Sequence, residues 1–359
     1  MSKHFLTAAA LVILASCSGG SLTLLVGTYT DAGSRGIYTY SFNPSTGGST
    51  QLSSAEAGNP SFLTLSPDGG TVYAVSEYNN AGAAVCTFDF DKGTGTLAER
   101  SRVLTGGGDP CYIATDGKLL ATANYSGGSM TVFPIGKDGL PGEGTVFAGG
   151  TGGPDMSRQA RPHVHCSVFS PDGKYIFASD FSADRLVRFD ISEDGGVAPS
   201  GITTALEPDY GPRHLVFNRK GDMAYVIGEL SGTVTAMSYS DGVLTPLQVI
   251  DADSFDARGS ADIHLSPDGK FLYVSNRLKG DGITWFKVGK DGLLEEAGYQ
   301  ATGVHPRNFG ITPDGRYLLC ACRDSDKIQV FRRDSRTGAL ADTGKDILLS
   351  HPVCVQFAQ

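Results

Sequence analysis

Basic charge is scarce in this chain: 29 Lys and Arg stand against 38 Asp and Glu, a formal net charge of −9, with no Lys/Arg stripe. That argues against nucleic acid or an anionic membrane surface as partner and leaves a small molecule as the expected one. Helical periodicity is missing over any useful length. No linker, charge block or low-complexity tract divides the 359 residues, so one domain is expected. The one long apolar run, residues 5–14, is too short to span a bilayer as a mature helix. Cysteine is sparse and never spaced as in a zinc site. Glycine is the opposite case: 48 residues, about 13% where about 7% is usual, with no collagen period, implies many turns and an all-β fold.

Lys3 and His4 precede the apolar run Phe5 to Leu14, the pattern of an export signal. Its end, Leu14-Ala15-Ser16-Cys17, resembles the bacterial lipobox, which makes Cys17 the expected lipidation site and first mature residue. Ser18 to Ser21 then form a flexible tether, so residues 1–21 are leader and tether and residues 22–359 the functional domain. The expected location is the cell envelope, with the membrane touched only through the anchor; were the leader not a true signal, the location is cytoplasmic. The remaining cysteines, Cys86, Cys111, Cys166, Cys320, Cys322 and Cys354, suit an oxidising compartment by their even number. No essential disulfide is expected, and Cys320 and Cys322 should share a strand face as small buried hydrophobes.

A repeat runs the length of the chain. Ser66-Pro67-Asp68-Gly69, Ser170-Pro171-Asp172-Gly173, Ser266-Pro267-Asp268-Gly269 and Thr312-Pro313-Asp314-Gly315 are four copies of one turn, and Thr115-Asp116-Gly117 and Asn218-Arg219-Lys220-Gly221 are looser ones. The third positions, Asp68, Asp116, Asp172, Lys220, Asp268 and Asp314, give a period near 48. A second series, Gly47, Gly95, Gly139, Gly195, Gly242, Gly292 and Gly338, marks seven Thr-Gly or Asp-Gly turns. Strand-like runs follow each turn, such as Phe271 to Ser275 and then Ile283 to Phe286. This spacing predicts a seven-bladed β-propeller with four antiparallel strands per blade, ahead of a β-helix or two packed sandwiches. Only six Pro-Asp-Gly-type turns are visible because the circle is permuted: Leu22 to Tyr29 should pair beside Val353 to Phe357 and close the ring. A propeller closes its own sheets, so a monomer is expected.

In such a ring, inner-strand starts and second-strand ends approach the channel at one end. Counted seven residues before the third turn position stand Ser61, Asp109, His165, Arg213, Ala261 and Arg307; nine after it stand Glu77, Tyr125, Phe181, Glu229, Arg277 and Arg323. An imidazole, several guanidiniums and two carboxylates thus share columns whose blade-core counterparts should be apolar.

Around these positions, Arg161-Pro162-His163-Val164-His165, Gly211 to Phe217, Gly228-Glu229-Leu230, Ala261-Asp262-Ile263-His264-Leu265 and Ser275-Asn276-Arg277 look like the bacterial 6-phosphogluconolactonase family. That family is a seven-bladed propeller, similar in turn to the fungal carboxymuconate-lactonising cyclases, and the resemblance covers nearly all of the chain after Ser21. By position it implies His165, Arg213, Glu229 and Arg277 as catalytic residues. Gly228 stands where relatives often have Asn, and the loop Gly149 to Arg161 is long and glycine-rich, so the pocket rim differs.

Lactone hydrolysis needs an activated water, a donor for the carbonyl oxygen as it gains charge, and a proton for the opening ring oxygen. Glu229 or His165 is the general base, with neither preferred at this point; Arg213 and Arg277 form the electrostatic clamp, and Glu77, Arg307 and Arg323 contact substrate. No metal is expected at His163-Val164-His165, since no nearby carboxylates complete a ligand set, and no cofactor is implied. His214 and His264 are expected to be structural, Trp285 a blade-core aromatic, and Asp262 a support for Arg213. The implied substrate is 6-phospho-D-glucono-1,5-lactone or a related aldonolactone, the unphosphorylated kind fitting an exported protein better. Alternatives are a carboxymuconate-type lactonising cyclase and a non-catalytic envelope propeller that binds a glycan or protein.

Overall fold

The computed structural model describes residues 20–358, so the leader and Cys17 lie outside the described residues. Those residues form seven antiparallel sheets of four strands, numbered here as blades one to seven; blade seven adds a short fifth strand, Ile347–Leu348. The innermost strands touch one another in sequence and return to the first, which makes the ring.

Blade six shows how the sequence builds the unit. Its strands are Ser260–Leu265, Phe271–Asn276, Gly282–Val288 and Leu294–Ala301. The second is buried at every position because blades pack on both its faces, and so it opens on the apolar run Phe271 to Val274. The outermost carries Glu295 and Glu296 toward solvent. Between the first two strands Ser266 Oγ donates to Asp268 Oδ1 (2.6 Å) and accepts from the Phe271 amide (3.0 Å), so the side chains of the turn replace missing ladder bonds. All seven glycines of the second turn series have φ between 74° and 86°, the left-handed region that a Cβ disfavours.

The core lies between blades. Phe271, Tyr273, Ile283 and Trp285 of blade six pack against Phe309, Leu318 and Phe331 of blade seven, which places Trp285 as expected. Tyr73, Tyr225 and Tyr273 each donate a hydroxyl proton to a turn carbonyl of the next blade, Gly139, Gly292 and Gly338, at 2.8 Å.

The ring closes between the ends of the described chain. Leu22–Thr28 pairs antiparallel with Pro352–Ala358, which supplies the inner strand of blade one, with Leu24 opposite Phe357 and Val26 opposite Val355. Blade one therefore has no turn between its first two strands, and six such turns serve seven blades. The six described cysteines are buried and free; Cys320 and Cys322 share a strand face with sulfurs 3.9 Å apart.

Candidate active site

Where the inner strands begin, the ladder slips. Pro110 pairs with Asn124 and Tyr112 with Ala123, leaving Cys111 unpaired; His165 and Arg307 are skipped in the same way in blades four and seven. In blade five Arg213 and His214 together oppose one residue, and in blade six Ala261 and Asp262 do. A bulge residue is turned out of the pleat, and here it faces the channel mouth. The second strands end at the same level, delivering Tyr29, Glu77, Tyr125, Glu229 and Arg277 just past their last paired residue. These two positions and Arg158 line a cavity of about 250 Å³, the scale of a single sugar ring.

Glu229 is its electrostatic centre. Arg158 Nη2 donates to Oε1 at 2.6 Å, Arg213 Nε donates to Oε2 at 2.9 Å, and Arg277 Nη2 lies 3.3 Å from Oε2. Burial alone would raise the Glu229 carboxyl, but Arg277, Arg213 and Arg158 outweigh it and hold it at about 2. Across the cavity Glu77 accepts from Tyr29 (2.9 Å) and Ser61, with Arg307 Nη2 at 3.8 Å and its guanidinium over the Tyr29 ring. His165 lies between the Glu229 carboxylate and the Cys111 thiol: Nε2 is 4.0 Å from Glu229 Oε2 and Nδ1 is 3.7 Å from Cys111 Sγ. Burial, then the positive charge of Arg213 and further neighbours, drives its pKa well below the ordinary histidine value, so the imidazole is neutral at pH 7. Burial likewise keeps Cys111 a thiol.

Arg213 is 1% exposed and sits beneath the cavity floor rather than on its wall. Its Nη1 donates to the Ala261 carbonyl (2.6 Å) and faces His214 Nε2 (3.2 Å), while His214 Nδ1 is 2.7 Å from Asp262 Oδ1. Asp262 thus supports Arg213 through His214, and its other oxygen meets His264 Nε2 at 2.9 Å and the Asn308 amide. Burial, reinforced by Arg213, lowers His214 to about 4, so it is neutral, with Nδ1–H donating to Asp262 and Nε2 free to accept from Arg213.

Of the residues read from sequence, His165, Glu229, Arg277, Glu77 and Arg307 line the cavity together. Arg323 does not: it opens a 3-10 turn, Arg323–Ser325, and its guanidinium is occupied by Asp324 at 2.5 and 3.0 Å. The column count also misplaces blade three, whose first turn has three residues between strand ends where blade four has five, so Cys111 rather than Asp109 takes the bulge. His163 stacks on Tyr125, centroids 4.2 Å apart, rather than converging with His165. Among the described residues no group of His, Cys, Asp or Glu is arranged to hold a metal ion.

Sequence reasoning passed over Arg158, because its loop lies outside the repeat and belongs to no column. Tyr29 was also passed over, yet one period of 48 back from Glu77 lands on it, and the two side chains touch across that separation.

Comparison with known proteins agrees with this architecture. Residues 23–357 match the family model "Lactonase, 7-bladed beta-propeller". A protein of Formosa agariphila named 6-phosphogluconolactonase is 36% identical over 348 residues, 93% of this chain and 99% of its own. The crystal structure of a Bacteroides uniformis protein described as a putative 6-phosphogluconolactonase superposes with a TM-score of 0.93 at 56% identity, over 94% of this chain and 99% of that one. A Pseudomonas aeruginosa periplasmic gluconolactonase gives a TM-score of 0.89 at 33% identity, over 95% and 99% of the two chains. A family match over nearly the whole described ring, joined to a polar cavity at its channel mouth, places this chain in the lactonase family of seven-bladed β-propellers.

Proposed function

We propose that the cavity hydrolyses a six-carbon aldonolactone, glucono-1,5-lactone or its 6-phosphate, with His165 as the general base. The observation that carries this is the pairing of a neutral imidazole with guanidiniums at one small polar cavity. Glu229 is the weaker choice of base, because both its oxygens are taken by arginines and its carboxyl is held at about 2. Its work is to fix the clamp.

In the reaction His165 takes a proton from water as the water oxygen bonds to the lactone carbonyl carbon. The carbonyl oxygen gains negative charge beside Arg277 and Arg307, whose fixed cations need no reorganisation to receive it. The bond from that carbon to the ring oxygen then breaks, the ring oxygen takes the proton back from His165, and the new carboxyl ionises. A substrate carrying the 6-phosphate also offsets the positive field of Arg213 and Arg307 that depresses His165, and so strengthens the base that activates the water.

The relatives' names supply the substrate class, and the six-carbon scale fits the cavity volume. Purified protein beginning at Ser18 should hydrolyse both lactones above the spontaneous rate, and His165→Asn should lose about 10²–10⁴-fold while staying folded. Retention of activity in that variant would remove His165 from the chemistry, and turnover of a muconate-type acid alone would favour the cyclase reading.

We further propose that the protein works as an exported monomer anchored at Cys17. Thr28 pairs with Pro352 at the cavity end, whereas Leu22 pairs with Phe42 at the opposite end. A lipid anchor would therefore attach at the end of the ring opposite the cavity and leave the cavity mouth open. Labelling with a fatty-acid analogue, lost in Cys17→Ala, tests this.

A further inference from the structure

Glu229 has more cations than one carboxylate needs, and they are not held alike. Arg213 is fixed from below by the Ala261 carbonyl at 2.6 Å, and Arg277 by the Gly259 carbonyl at 2.8 Å and the Ser260 carbonyl at 3.5 Å. Their side chains are 2% and 7% exposed, whereas that of Arg158 is 34% exposed and reaches in from outside the repeat. Arg158 meets Glu229 through Oε1 alone, and its guanidinium lies over the Phe181 ring at 5.7 Å.

The backbone on either side of Arg158 is pinned. Asp155 accepts from the Ser157 amide (2.9 Å) and from Arg258 Nη2 (2.8 Å), and Arg258 also grips Asp209 through two nitrogens at 2.6 and 2.8 Å. On the other side Gln159 Nε2 donates to the Phe181 carbonyl (3.0 Å) and to Asp184 Oδ1 (2.7 Å). The loop is a fixed strap, and the Arg158 side chain is the part with freedom to change partner. If it leaves Oε1, Glu229 still keeps Arg213 and Arg277 on Oε2, so no buried charge is stranded.

We infer that Arg158 is the specificity residue of the cavity: it trades its single contact with Glu229 for a two-pronged grip on an acidic substituent of the ligand, a phosphate monoester or a carboxylate. A guanidinium fork matches either group with two parallel hydrogen bonds, which the present contact does not use. The inference rests on the lactonase reading for its ligand class, and its test uses the stable hydroxy acids so that binding is read whether or not a lactone turns over.

Calorimetric dissociation constants for gluconate, 6-phosphogluconate and glucarate, measured on the wild type, Arg158→Ala and Arg158→Lys, decide it. The wild type should bind one of the two acidic-ended sugars at least about 10-fold more tightly than gluconate. Which one wins identifies phosphate or carboxylate as the group read. That ratio should collapse toward one in Arg158→Ala and recover only partly in Arg158→Lys, whose ammonium restores charge but not the fork. Equal binding of all three by the wild type, or an undiminished ratio in Arg158→Ala, would overturn the inference. Absence of lactone turnover beside an intact binding ratio would overturn the lactonase reading alone.

Discussion

The two ends of the ring are built by the same repeat and behave oppositely. At the turn end, blades repeat one device: Ser66 to Asp68, Ser170 to Asp172, Ser266 to Asp268 and Thr312 to Asp314 make the same hydroxyl–carboxylate bond at 2.5, 2.6, 2.6 and 2.7 Å. At the cavity end the equivalent bulge positions carry a thiol in Cys111, an imidazole in His165 and guanidiniums in Arg213 and Arg307. Stability comes from uniformity at one end. Chemistry comes from divergence at the other, where a ring of backbones holds unlike side chains within reach of one another.

Changes at either end should therefore separate cleanly, and the largest effect belongs to the cavity. Glu229→Gln leaves the guanidiniums of Arg213, Arg277 and Arg158 without their counter-charge. Lactone turnover should fall about 10²–10³-fold, and denaturant unfolding should show a loss of about 3 kcal/mol.

Acid distinguishes the ends next. Folded His214 is neutral down to about 4, while in the unfolded chain it protonates near 6.5. Between those values the unfolded state binds the proton first, so stability is full above 6.5 and falls as pH drops toward 4, by roughly 3 kcal/mol at most. The turn-end carboxyls are held below their usual range against burial, those of Asp172 and Asp268 foremost by Ser170 and Ser266 and that of Asp314 by the Arg316 amide and then Thr312, so that end should weaken only at lower pH. Melting temperatures across pH 7 to 3 should thus fall in two stages.

A smaller effect is expected from Asp268→Ala, which removes the partner held by the buried Arg333 at 2.9 and 3.0 Å. Unfolding should cost about 2 kcal/mol less with turnover unchanged, because part of the pair is exposed. Ser170→Ala, which deletes one turn hydroxyl, should cost about 1 kcal/mol and leave kcat/KM where it was. Loss of turnover in either variant would break the separation between the ends.

The same contrast explains what was legible in the sequence. Pro-Asp-Gly turns are local and repeat, so the spacing of Asp68, Asp172 and Asp268 carried the blades, and the missing seventh turn carried the closure through Leu22–Thr28 and Pro352–Ala358. His165, Glu229, Arg277, Glu77 and Arg307 were legible because fixed offsets from those turns land on the channel mouth. Offsets fail where local geometry departs from the repeat: the shorter turn of blade three moved the bulge to Cys111, and the 3-10 turn at Arg323 sent its guanidinium to Asp324. Burial depth was not legible at all. Arg213 and Arg277 occupy strong columns alike, yet only Arg277 reaches the cavity wall, because Arg213 is tied beneath Glu229 by its bond to the Ala261 carbonyl.

The pH dependence of kcat/KM for glucono-1,5-lactone, with spontaneous hydrolysis subtracted, bears most directly on the divergent end. It reports the free enzyme's base. A buried neutral His165, depressed by burial and Arg213, predicts a level profile through 6.5, with activity lost only at acid pH well below it. A half-loss centred near 6.5 would mean a base with an ordinary histidine pKa, and would contradict a base buried and depressed as His165 is.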